Sequence, residues 1–94
     1  MSEPNSSTIA LLTDFGSRDW YVGTMKGVIL RHYPQAQLVD IAHNIPLGDI
    51  PGAAFALSQC WREFPEGTHF LVVVDPGVGT KRKPVAIRSL RRTL

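Results

Sequence analysis

Phe70-Leu71-Val72-Val73-Val74, closed by Asp75-Pro76-Gly77-Val78-Gly79-Thr80, is the stretch that sets the fold class. An unbroken apolar run has no polar side to offer water, the pattern of a strand covered on both faces of a parallel sheet. Just before it, Phe64-Pro65-Glu66-Gly67 suits a type I turn with Pro second and Gly fourth. Further back, Ile50, Ala53, Ala54, Leu57, Trp61 and Phe64 line one side of a helix that Asp49 can cap. Leu38 to Ala42 reads as a second strand, with Asp40 its one charged member, followed by a loop from His43 to Gly48. Tyr21, Val22, Met25, Val28, Ile29 and Tyr33 recur at intervals of three and four, a helix face over 19–33 that Pro34 stops. Thr8 to Thr13 (TIALLT) is the first strand, ended by Asp14-Phe15-Gly16, and Pro84 to Arg88 reads as a fourth. Strands alternating with helices imply parallel pairing through right-handed crossovers, so the expected class is an α/β layered sheet.

The 94 residues amount to one small domain. Apolar residues at 44% and charged residues at 19% exclude a disordered chain. No apolar stretch approaches the roughly 18 residues of a membrane span, and the polar start, residues 1–7, lacks a signal-peptide layout. That start is expected to be disordered and the chain to be cytoplasmic, with no membrane partner. A single cysteine, Cys60, excludes an internal disulfide and a cysteine-based zinc site. The net charge of +2 conceals an asymmetry: Lys81 to Leu94 carries six basic residues and no acidic one, leaving four basic and eight acidic residues before it. A basic end can be a nucleic-acid arm, but no aromatic residue interleaves with these charges to stack on bases. A solvated tail over 89–94, with no nucleic-acid partner, is the plainer reading.

Ligands of open parallel sheets bind beyond the carboxyl ends of the strands. Each strand here ends in a group capable of chemistry: Asp14 after the first, His43 after the second, Asp75 after the third. Structural roles compete with that reading, since Asp starts turns and a loop histidine often bonds only backbone. Gly77 and Gly79 allow close backbone approach to a ligand, but Thr80 stands where a phosphate loop needs its lysine. Metal ligation by Asp14, Asp19, His43 and Asp75 fits no standard ligand spacing. Arg82, seven residues past Asp75, can fold back over the glycine loop to pair with it, or can remain a surface arginine in a Lys-Arg-Lys run.

Three blocks taken together resemble one family. They are Leu12-Thr13-Asp14-Phe15-Gly16 with Asp19, Tyr21-Val22-Gly23 and Met25-Lys26-Gly27; Val39-Asp40-Ile41-Ala42-His43-Asn44-Ile45-Pro46 with Asp49-Ile50; and Phe64-Pro65-Glu66-Gly67-Thr68 with Val74-Asp75-Pro76-Gly77-Val78-Gly79-Thr80 and Arg82. The pattern is similar to the amino-terminal domain of the S-adenosylmethionine (SAM) hydroxide adenosyltransferases, relatives of the SAM-dependent fluorinase and chlorinase. That resemblance implies a three-layer sandwich around a mostly parallel, Rossmann-like sheet, with residues 8–88 as a partial SAM- or adenosine-binding domain. It implies hydrolysis of SAM to adenosine and methionine by in-line attack of water on the ribose 5′ carbon, with SAM as substrate and no cofactor or metal. By the same mapping Asp75 and Arg82 are the catalytic pair, and Asp14 holds the ribose hydroxyls. Phe15, Asp19, Pro76, Gly77 and Val78 would line the nucleoside pocket. Asp75, where the fluorinase has a tyrosine, favours water over halide. The family's catalytic histidine, its carboxy-terminal β-barrel and its trimer contacts have no counterpart in these residues. The expectation is therefore a truncated chain carrying half a site, with an inactive SAM- or adenosine-binding domain as the alternative.

Overall fold

The computed structural model describes residues 7–17 and 19–75. Of the expected elements, the fourth strand at 84–88 and the basic tail at 89–94 lie outside these residues, as does the polar start except for Ser7. The order is β1 (Thr8–Thr13), α1 (Tyr21–His32), β2 (Gln37–Ala42), α2 (Ile50–Cys60), a 3-10 turn (Trp61–Glu63) and β3 (His69–Val73). Both strand pairings are parallel, in the sheet order β2-β1-β3. The α/β class follows, and β1 is the middle strand of the three.

The central strand is the buried one. Ala10, Leu11, Leu12 and Thr13 have no exposure, whereas Val39 and Asp40 on β2 are exposed. Chain direction explains the layering: β1 leads outward to β2, then the chain returns across β1 to β3. Right-handed crossovers in opposite directions put their helices on opposite faces. The contacts agree. Lys26 of α1 reaches Asp40, the partner of Leu11 in the β1–β2 ladder. On the other face Ala53 of α2 packs with Leu12 and Val74, flanked by Ala56, Leu57, Ile45 and Val72.

Helix ends follow local chemistry. Asp49 accepts the Gly52 N–H at 3.0 Å, and Pro51 sits in the first turn, where its missing N–H costs no helical bond. The α1 cap residue Tyr33 still donates to the Ile29 carbonyl at 2.8 Å, and Pro34 then bars a further turn.

Three sequence expectations shift by a residue or a face. The half-buried positions of α1 are Val22, Met25, Lys26 and Ile29, while Tyr21, Val28 and Tyr33 are exposed. The apolar stripe is wider than the part that meets the sheet. On α2, Ile50 and Ala54 likewise face outward and Ala56 takes the inner position. The turn before β3 is Pro65 to Thr68, not Phe64 to Gly67: Thr68 donates its N–H to the Pro65 carbonyl at 3.1 Å. Gly67 thus falls at the third position with φ 89°, a left-handed value that glycine adopts without steric cost.

Two predictions follow from this packing. Leu12→Ala should lower unfolding free energy by about 2–5 kcal/mol, against less than about 1 kcal/mol for Val39→Ala, measured by urea titration. The second concerns Asp40, whose carboxyl is held below the usual carboxylate range by the Lys26 ammonium first and by His43, against desolvation. A depressed carboxyl contributes stability above its unfolded pKa and loses it as pH falls through the folded value. The stability gap between wild type and Asp40→Asn should therefore be full at pH 7 and close below about pH 4.

Candidate active site

The three strand ends meet around one carboxylate. Oδ2 of Asp14, at the end of β1, accepts the backbone N–H of Gly48 at 2.8 Å and that of Asp75 at 3.0 Å. Gly48 belongs to the loop after β2, and Asp75 follows β3. Gly48 adopts φ 74°, which turns the loop so that its N–H points at the carboxylate. Both bonds land on the same oxygen, and Asp14 is 8% exposed. A buried carboxylate bonded in this way is both a structural staple and a fixed acceptor, since hydrogen bonds to a charged group contribute about 1.5–3 kcal/mol each.

Beside it opens a pocket of about 390 Å³ lined by Asp14, Phe15, Tyr21, Leu47 and Asp75. That size lies within the range of small-molecule sites, and apolar walls with a few polar groups are their usual lining. Phe15 and Tyr21 stand 6.4 Å apart, centroid to centroid, with planes tilted by 59°. Trp20 continues the row outward, 5.7 Å from Tyr21. Asp14 and Asp75 give this lining two acidic residues beside Phe15, Tyr21 and Leu47.

His43, the third strand-end group, turns away from that pocket and into a network. Its Nδ1 lies 2.8 Å from Thr13 Oγ1 and its Nε2 lies 2.7 Å from Asp40 Oδ1. Among the described residues no group of three His, Cys, Asp or Glu side chains is arranged to hold a metal.

Of the residues named from sequence, the structure brings Asp14, Phe15 and Asp75 to one pocket. Asp19 is exposed in the loop before α1 and is not among the lining residues. Pro76, Gly77, Val78 and Arg82 lie outside the described residues. Sequence reasoning missed Leu47 and Gly48 as parts of the site and assigned Tyr21 to the core face of α1. The Leu47-Gly48-Asp49 run carried a usable signal, a glycine placed directly before a helix cap.

The family model described as the SAM hydroxide adenosyltransferase N-terminal domain matches residues 9–94. The chain is 45% identical over 78 residues to the (R)-S-adenosyl-L-methionine hydrolase of Thermus thermophilus, covering 83% of this chain and 31% of that one. It is 36% identical over 80 residues to the fluorinase of Nocardia brasiliensis, covering 85% of this chain and 27% of that one. A crystal structure of an uncharacterized conserved protein from Thermotoga maritima superposes with a TM-score of 0.71 at 45% identity, over 80% of this chain and 29% of that one. The chain thus spans about a third of the length of the curated relatives it matches. With the family model matched over residues 9–94, the chain belongs to the SAM hydroxide adenosyltransferase family, in its amino-terminal domain.

Proposed function

We propose that this domain binds S-adenosylmethionine and supplies part of the site that hydrolyses it to adenosine and methionine. The observation that carries the reading is that Asp14 and Asp75 line one pocket with Phe15, Tyr21 and Leu47 at the carboxyl edge of a parallel sheet. SAM is a cation with ribose hydroxyls, and its chemistry complements that pocket. The relatives named as SAM hydrolases support the same substrate.

In the proposed reaction a water oxygen forms a bond to the ribose 5′ carbon as the carbon–sulfur bond breaks. The sulfonium leaves as a neutral thioether, so no acid is needed on the leaving side. The proton lost by water passes to the Asp75 carboxylate and then to solvent, which balances the charge given up by sulfur. Water is a weak nucleophile, and rate must come from alignment and from exclusion of competing solvent. Asp75 orients the water, and Arg82 is assigned to stabilise its developing negative charge. Asp14 receives the ribose hydroxyls through Oδ1, its Oδ2 being held by the Gly48 and Asp75 N–H groups. Phe15 packs on the nucleoside. Pro76, Gly77 and Val78 complete the wall, and Asp19 contributes from the rim. Assembly as a homotrimer in the cytoplasm, with further residues closing the site, belongs to the same reading.

The test is adenosine release from SAM, followed by proton NMR in the chain joined to a relative's remaining sequence. Asp75→Ala should cut the rate by about 10²–10⁴-fold, the usual range for loss of a general base. Unchanged release would remove Asp75 from the chemistry. Asp14→Ala should weaken adenosine binding by about tenfold or more, as expected for a lost charged hydrogen bond, and should also lower the melting temperature. Binding of adenosine and SAM without turnover by the chain joined to the relative's remaining sequence would identify it as an inactive binding domain instead.

A further inference from the structure

A line of hydrogen-bonded side chains runs from the outer surface of β2 to the pocket backbone. Lys26 Nζ donates to Asp40 Oδ2 at 2.7 Å. Asp40 Oδ1 meets His43 Nε2 at 2.7 Å, and His43 Nδ1 meets Thr13 Oγ1 at 2.8 Å. Thr13 Oγ1 in turn accepts the N–H of Phe15 at 3.1 Å. The bond directions follow from what each group can do. Ionised Asp40 only accepts, so Nε2 carries the hydrogen. In the tautomer with its hydrogen on Nε2 alone, Nδ1 accepts the Thr13 hydroxyl hydrogen, and the hydroxyl oxygen is left to receive the Phe15 N–H. The His43 carbonyl separately accepts the Gly16 N–H at 2.6 Å.

The placement depends on an irregular register. Residues 40 and 43 of a regular strand point to opposite faces, because side chains alternate with period two. The β1–β2 ladder slips by one residue, from Leu11 opposite Asp40 to Leu12 opposite Ala42. A slip of that kind re-aims the side chains beyond it, and His43 comes round to Asp40. Thr13 is fully buried and His43 is 9% exposed, yet neither is among the residues lining the pocket. Two successive backbone donors, at Phe15 and Gly16, are thus held by this pair immediately after Asp14. Gly16 has φ 80°, a left-handed value that glycine adopts without steric cost, so the two hydrogen bonds select this turn among conformations open to it.

We propose that His43, acting through Thr13, is a positioning residue of the nucleoside pocket, clamping the Asp14-Phe15-Gly16 turn in its ligand-binding form with Asp40 and Lys26 as the outer anchor. This rests on the nucleoside-binding reading given above. It extends that reading to four residues that do not touch ligand. Misplacement of a site turn by about 1 Å is enough to lose about 10²-fold in function, so an anchored turn has a measurable advantage over a loose one.

The experiment compares wild type with Thr13→Val, Thr13→Ser and Asp40→Ala, each as the 94-residue chain. Adenosine affinity is measured by titration calorimetry, amide exchange of Phe15 and Gly16 by NMR, and folding by thermal unfolding. Thr13→Val should weaken adenosine binding by about tenfold, the loss expected for one neutral hydrogen bond and its partner, and should speed exchange at Phe15. Thr13→Ser, which keeps the hydroxyl, should restore both to within about twofold of wild type. Asp40→Ala, altered at the exposed end, should stay folded and show the same two changes at smaller size. It keeps the test decisive should Thr13→Val fail to fold. Faster Phe15 exchange with adenosine affinity retained would overturn the proposal, leaving the network a role in folding only. Equal loss in Thr13→Ser would overturn it as well, since the hydroxyl would not be the agent. If wild type binds neither adenosine nor SAM, the nucleoside reading falls. The clamp is then decided by Phe15 exchange alone, supported by loss in Thr13→Val with recovery in Thr13→Ser, and overturned by no change.

Discussion

One carboxylate oxygen holds the carboxyl edge of this sheet together. Oδ2 of Asp14 accepts backbone donors from the loop after β2 and from Asp75, two residues past β3, so all three strand ends are referred to a single atom. Burial makes the arrangement necessary. A carboxylate at 8% exposure must have its solvation replaced by donors, and among the described residues main-chain N–H groups of the neighbouring loops supply them. Burying the charge therefore dictates the loop conformations, including the positive φ at Gly48. The pocket beside Asp14 is a consequence of that same constraint.

A second constraint operates one layer deeper. β1 packs against α2 on one face, where Leu12 meets Ala53, and it also carries Thr13, a polar residue with no exposure. Its hydroxyl is satisfied by bridging the Phe15 N–H and the His43 ring. That bridge requires His43 to point to the Asp40 face, which the register slip between Leu11 and Leu12 supplies. Packing, polar satisfaction and strand irregularity are in this way one problem with one solution. An irregularity that appears minor in the ladder decides whether the loop histidine reaches the strand at all.

The fold was largely legible because its signals are local. The Phe70–Val74 run, the capping Asp49 and the stop at Pro34 each act within a few residues, and the elements they mark are present. The errors arose where the answer depended on a partner. The stripe on α1 includes Tyr21, Val28 and Tyr33, yet a helix crossing a three-stranded sheet covers only part of its circumference, and these three remain outside. The turn at Pro65 moved by one residue because Gly67 serves the third position as readily as the fourth, and the Thr68 N–H bond selected the former. In the site, Asp14 and Asp75 were visible as strand-end residues. Leu47 was not, since an exposed leucine in a loop has no sequence signature until the loop is folded against Asp14.

By itself the sequence determined which segments become strands and helices, that the strands run parallel, and that acidic groups close two of them. These follow from side-chain periodicity and from the geometry of Gly, Pro and Asp, which need no distant partner. The three blocks of motif likewise identified the family, because their order and spacing are properties of the chain. Only the tertiary structure decided that β1 lies in the middle and that His43 faces a buried threonine and not the pocket. It also decided that a single oxygen of Asp14 anchors two loops lying 34 and 61 residues away along the chain. Those outcomes depend on which polar groups lose water together on folding, and only the packed sheet brings such groups within reach of one another.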